Sequence, residues 1–253
     1  MKTRKPVVAG QFYPSDADEL TTLIEEVLNK EKEHIDYSIA EKELIGGIVP
    51  HAGYIFSACQ AIHVFELIKN HPGSFDTFVI INPSHTGMGN EIAIDENDFW
   101  ETPLGKVEID KDFLTEMSVP VSGIEESREH SGEVMIPLLQ KFIHYDYKIL
   151  PITITFQTFD NAKYVAEQIK KANDRLKKRI FIIASTDFSH FIHPKKGEEL
   201  DQLVIDKILH NESREVESVI KKNHISVCGQ GPIMAMMEYA KLVANNPNIK
   251  LLK

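Results

Sequence analysis

The sequence predicts an α/β fold: a single domain over residues 1–253, with a mixed, mostly parallel central sheet flanked by helices. Three observations carry this expectation. Short β-branched apolar runs alternate with longer amphipathic stretches, the order expected of crossover units. No internal repeat, low-complexity tract or linker divides the chain. Three histidines, His51, His85 and His190, each close an apolar run at the point where a strand hands over to a loop. In such sheets ligands bind beyond the carboxyl ends of the strands.

The first helix is expected over Asp16–Lys32, capped by Ser15 or Asp16, with Leu20, Leu23, Ile24, Val27 and Leu28 at helical spacing. A buried strand at Lys42–Val49, a helix at Ser57–Lys69 and a strand at Thr77–Asn82 read as one β-α-β unit whose two strands are parallel neighbours. Glu91–Ile94 and Lys106–Ile109 read as short strands, separated by a turn through Trp100–Gly105. A polar loop, Ser122–Glu129, leads to a helix over Ser131–Phe142 that Pro137 bends. Then come a strand at Lys148–Phe156, a helix at Asp160–Leu176 and a strand at Arg179–Ala184. Helices at Gly197–His210, Ser213–Lys222 and Gly231–Val243 complete the chain.

Composition narrows the function. A formal charge of -10 argues against a nucleic-acid surface, and the densest basic cluster, Lys170–Arg179, suits a solvated helix end. No apolar run approaches a membrane span and the start lacks a signal peptide's apolar stretch, so no membrane role and a cytoplasmic address are expected. Cys59 and Cys228 are the two cysteines, too few for a disulfide framework.

His51 lies between Pro50 and Ala52-Gly53, and His85 follows Pro83 with Gly87 and Gly89 after it. Proline ends a ladder and glycine lets the chain turn, so each imidazole stands at a strand tip, as a ligand or as a residue satisfied by loop carbonyls. Asp187 precedes His190 by three residues; it either orients the imidazole for proton transfer or caps backbone amides in a turn. Cys228 precedes Gly231-Pro232 at a helix start, where a thiolate would feel the positive end of the dipole. Cys59 reads as a small buried hydrophobe. His130 and Glu133 stand at helical spacing and could line a polar pocket as substrate-binding residues.

Seven blocks then occur in a recognisable order: Val8–Pro14, Pro50-His51-Ala52-Gly53-Tyr54, Pro83-Ser84-His85, Trp100–Gly105, Glu129-His130-Ser131, Asp187-Phe188-Ser189-His190 and Cys228–Pro232. From Val8 to about Leu242 the chain resembles the Memo-like proteins. That family is similar in fold to the class III extradiol (LigB-type) dioxygenases, and its prokaryotic members are discussed with AmmeMemoRadiSam partner proteins. The resemblance implies His51, His85 and Cys228 as ligands of a divalent transition metal, iron first and copper or zinc as alternatives. It places Asp187 and His190 beside the metal as catalytic groups. Cysteine in place of the dioxygenases' carboxylate softens the ligand set and counts against extradiol cleavage. Two departures stand out: Asn82 where a glycine is common, and an end at Lys253 where relatives continue into a Gly-, Ser- and Tyr-rich tail.

Three functions follow as expectations: a non-haem metal-dependent redox enzyme, a metal-assisted hydrolase, or a non-catalytic module binding a small molecule or peptide. The last draws on animal family members, which are regarded as adaptors for phosphorylated peptides.

Overall fold

The computed structural model describes residues 1–253. Its main sheet has the order β2-β8-β3-β7-β4, where β2 is Gly46–Val49, β3 Thr77–Pro83, β4 Ile92–Ile94, β7 Lys148–Ile154 and β8 Ile180–Ser185. Only β4 runs antiparallel, against β7, so the sheet is mixed and mostly parallel as predicted. Every residue of β3 and β8 is buried, which fits continuous apolar runs covered on both faces. Val79 and Ile81 of β3 enter one core while Phe78 and Ile80 enter the other. The strand period of two thus divides one run between two layers.

Helix α1 (Ala17–Glu31) begins where expected, with Asp16 Oδ1 accepting from the N–H groups of Asp18 and Glu19. Helix α2 (Tyr54–Asn70) starts three residues before Ser57, directly behind the loop that carries His51. Helices α5 (Phe159–Leu176), α6 (Pro194–Leu209), α7 (Ser213–Asn223) and α8 (Gln230–Val243) lie close to the predicted spans.

The predicted pairing of the first two strands is wrong. β8 lies between β2 and β3, bonded to both. The 17-residue α2 is long enough to carry the chain past one empty position, and the most apolar strand takes that central slot. Two glycines let β2 fit: a Cβ on Gly46 would meet Ile182 O at 2.6 Å, and one on Gly47 would meet Val64 Cγ1 at 2.7 Å. β2 is also shorter than expected, since Lys42 and Glu43 are exposed and lie outside the strand.

Three further differences concern the middle of the chain. Trp100–Gly105 is not simply a turn: β5 (Phe99–Thr102) and β6 (Gly105–Glu108) form a hairpin, and β1 (Thr3–Arg4) pairs with β5 to make a second sheet. A short helix, α3 (Lys111–Glu116), was not predicted. Pro137 does not bend a helix; a 3-10 turn at Glu133–Met135 precedes α4 (Ile136–Phe142), and Pro137 sits in the first turn, where its missing N–H is harmless.

The loop before α4 is polar in sequence but buried in fact. Glu125, Glu126 and Glu129 are all inside, Glu125 held by Asn90 and the other two by Arg4 from β1. Its guanidinium donates to Glu126 O at 2.9 Å, to Glu129 O at 2.5 Å and to Glu133 Oε2 at 2.7 Å, and stacks 4.3 Å from the Trp100 ring. Glu133 also accepts from Tyr13 Oη and from the N–H groups of Val7 and Val8. One charge pair thereby fastens the N-terminal segment to the loop behind the strand ends.

Removing Glu133 would leave Arg4 buried without its counter-charge, so Glu133→Ala should lower unfolding free energy by about 3–5 kcal/mol in urea titrations. Glu126 provides a pH test. Burial pushes its carboxyl up to about 8, so over the range between an ordinary glutamate and that value the native state holds a proton that the unfolded chain has released. Stability should therefore fall as pH rises from about 4.5 to 8. Glu126→Gln should flatten that slope; equal slopes in variant and parent would contradict the assignment.

Candidate metal centre

The parallel strands β2, β3 and β8 deliver His51, His85 and the Asp187–His190 segment to the same edge of the sheet. Cys228 reaches that edge on the turn that opens α8. This turn is tightly specified. A Cβ on Gly229 would lie 2.4 Å from Ser185 O and from Thr186 Cβ. Gln157 Nε2 donates to Cys228 O at 2.7 Å, while Gln157 Oε1 accepts from Gly231 N–H at 2.9 Å.

The ligand atoms of His51, His85 and Cys228 all lie within 4.8 Å of one another, and His51 Nε2 is 3.1 Å from Cys228 Sγ. The tautomers follow from the partners. Ser185 Oγ donates its only hydrogen to Ser131 O at 2.7 Å, so toward His51 Nδ1, also at 2.7 Å, it must accept. His51 therefore carries its hydrogen on Nδ1 and turns a bare Nε2 toward Cys228. His85 Nδ1 donates to Glu129 Oε1 at 2.9 Å, which leaves its Nε2 for the pocket. Fixing Nδ1–H on an acceptor so that Nε2 can ligate is the habit of metal-binding histidines.

The charges agree with that arrangement. Burial pushes His51 down to about 3, so it is neutral. Hydrogen bonding to Cys228 and then to Glu129 raises His85 to about 10, against the effect of burial. Burial alone would raise the Glu129 carboxyl, yet the His85 ring, the His85 N–H and the Ser131 N–H donate to it and bring it to about 2. A positive charge is thus accommodated at His85, where a bound cation would replace the proton. With two imidazole nitrogens and a sulfur, the donor set fits a thiophilic first-row transition ion.

The other predicted residues divide. Asp187 Oδ1 accepts from His51 N–H at 2.7 Å and Ala52 N–H at 3.2 Å, so it does cap backbone amides. Its Oδ2 lies 3.8 Å from both His51 Nε2 and His190 Nε2 and bonds neither directly. His190 is held instead by Ser226: its Nδ1 is 2.9 Å from Ser226 O and its N–H donates to Ser226 Oγ at 2.7 Å. His130 joins the cluster, its ring 4.6 Å from that of His85 and 5.5 Å from that of His51. Burial lowers its pKa. Glu133 does not join them, since Arg4, Tyr13 and two backbone N–H groups take both its oxygens.

Sequence reasoning missed Glu129 and Ser185. Glu129 is buried and accepts from the His85 ring, from three backbone N–H groups and from Ser131 Oγ. An acid beside His130 in a polar stretch gives no local sign of burial; only its place in the Glu129-His130-Ser131 block pointed to it. Ser185 ends an apolar strand, where a serine reads as the last residue before a loop. Cys59 is half-buried rather than buried, with Sγ 2.9 Å from Gln60 Oε1.

His51→Ala, His85→Ala and Cys228→Ser should each lose most bound metal while keeping a native circular-dichroism spectrum. Glu129→Gln should weaken metal binding by about 10–100-fold by loosening the His85 ring. Undiminished metal in all three ligand variants, by elemental analysis, would overturn the assignment.

Comparison with known proteins shows the family of the chain. The Memo-like protein family matches residues 4–253. A MEMO1 family protein of Pyrobaculum arsenaticum is 34% identical over 260 residues, covering 100% of this chain and 92% of the relative. One from Desulfurococcus amylolyticus is 38% identical over 252 residues, covering 95% and 88%. One from Archaeoglobus fulgidus is 36% identical over 241 residues, covering 94% and 87%. The cluster of His51, His85 and Cys228 is therefore carried by a chain that belongs to the Memo-like family.

Proposed function

We propose that this protein is a non-haem metal-dependent redox enzyme whose ion is held by His51, His85 and Cys228. The observation that carries the reading is the pair of histidines with Nδ1 hydrogens spent on Ser185 and Glu129, so that both Nε2 atoms are turned into one pocket with a cysteine sulfur. Such a ligand set suits iron best among abundant ions that change oxidation state, with copper as the alternative and zinc for a hydrolytic variant. When bound, the ion supplies electron transfer and Lewis acidity. The chain's own contribution is proton handling: His190 turns Nε2 toward Asp187, and His130, its pKa lowered by burial, stands beside His85. Extradiol cleavage is not part of the proposal, because cysteine occupies a ligand position. A cytoplasmic location and a working partnership with AmmeMemoRadiSam-type proteins belong to the same reading; no helix is long and apolar enough to cross a membrane.

One observation favours a second reading, a binding module for a peptide or small molecule. Exposed apolar side chains stand beyond the strand ends: Ile55 and Phe56 in the first turn of α2, Phe156 after β7, and Phe191 and Ile192 after β8. Such a patch suits a docked partner.

Oxygen uptake by iron-loaded protein with a reductant separates the two. For the enzyme, His190→Ala keeps the ion on His51, His85 and Cys228 but slows uptake by at least about 100-fold. No uptake by the parent, or equal uptake by the variant, would sink the redox reading. A binding module would instead tolerate His190→Ala and lose its ligand on Phe56→Ala or Phe191→Ala.

A further inference from the structure

We propose that Ser131 is a positioning residue that ties His51 to His85, so that the two imidazoles are aimed as one unit. The purpose of this coupling rests on the metal reading above; the coupling itself belongs to the metal-free chain.

The two imidazoles come from different loops, and each leans on its own acceptor. His51 Nδ1 lies 2.7 Å from Ser185 Oγ at the end of β8, and His85 Nδ1 lies 2.9 Å from Glu129 Oε1 in the buried loop before α4. Both acceptors are bonded to Ser131. Its carbonyl accepts from Ser185 Oγ at 2.7 Å, while its N–H at 2.9 Å and its hydroxyl at 2.7 Å donate to Glu129 Oε1. The hydroxyl has a single hydrogen, and the charged carboxylate takes it ahead of Pro83 O at 3.1 Å. Every polar group of this one residue therefore faces the partner of a histidine.

Ser131 is fully buried and is held from both sides. On one side Arg4 grips Glu129 O; on the other, a Cβ on Gly132 would lie 2.9 Å from Asn82 Oδ1, and Glu133 is locked by Arg4 and Tyr13. A residue pinned in this way cannot follow one acceptor without moving the other. The hydroxyl is not needed to satisfy Glu129, which also accepts from the N–H groups of His85, His130 and Ser131. What it adds is a second bond from the same residue, which fixes the carboxylate relative to the carbonyl that faces Ser185. Two ligands already aimed at one point lose less freedom when an ion arrives than two that are set independently.

The test uses the metal-free full chain with nitrogen-15 in its histidines and follows the imidazole nitrogen resonances of His51 and His85. Zinc affinity is then measured by competition with a chromophoric chelator. Ser131→Ala should shift both sets of resonances, although the hydroxyl touches neither ring, and weaken zinc binding by about 10–100-fold. Ser131→Thr keeps the hydroxyl and should restore both. The rings also meet directly, their centroids 5.1 Å apart, so the decisive comparison is made in a His85→Ala background. There Ser131→Ala should still move the His51 resonances, by way of Ser185. Glu129→Gln touches Ser131 but not His51; in that background it should move them too, which keeps the test open if threonine does not fit. His51 resonances that ignore both changes, or a Ser131→Ala shift confined to His85, would overturn the coupling. A parent that binds no zinc overturns the metal reading and leaves the resonances to decide the coupling.

Discussion

Everything at this site depends on where three imidazole hydrogens go. An imidazole can offer one nitrogen to a metal only if the other finds an acceptor, and here Ser185, Glu129 and Ser226 O fill that role for His51, His85 and His190. Each acceptor belongs to a different part of the chain: the last residue of β8, the buried loop before α4, and the segment leading to Cys228. The site is therefore not a property of its ligands alone. Arg4 grips the carbonyl of Glu129, so even the two-residue β1 helps to aim His85.

The sheet supplies what the hydrogen bonds need, which is a fixed edge. β8 lies between β2 and β3, buried throughout, and places Ser185 against His51 while its continuation carries Asp187 and His190. Its closeness also explains why Gly46 and Gly229 are needed where they stand, since side chains there would strike Ile182 O and Ser185 O, while Gly47 makes room for Val64 of α2. Buried acids are the cost of this construction. Glu126 is held neutral by burial and Glu133 is matched by Arg4, whereas Glu129 keeps its charge because so many donors face it.

Much of this was legible from residue order. Apolar periodicity located the main helices and the long strands, and proline and glycine around His51 and His85 marked them as strand tips. The neighbours of β2 were not legible, because adjacency in sequence says nothing about a slot left open for a strand more than a hundred residues later. β1 and α3 escaped because a two-residue strand and a six-residue helix carry no measurable period. Glu129 looked like solvent-facing charge, for its burial depends on Arg4, some 125 residues away. Asp187 could have oriented a histidine or capped a turn; distances show that it caps the turn and leaves one oxygen facing the pocket.

The central claim is that two histidine nitrogens and the Cys228 sulfur bind one ion directly. X-ray absorption on protein loaded with a single equivalent of zinc tests it most directly. The account predicts one sulfur neighbour at about 2.3 Å and imidazole nitrogens at about 2.0–2.1 Å, with the sulfur shell lost in Cys228→Ser. A shell of nitrogen and oxygen alone in the parent would contradict it.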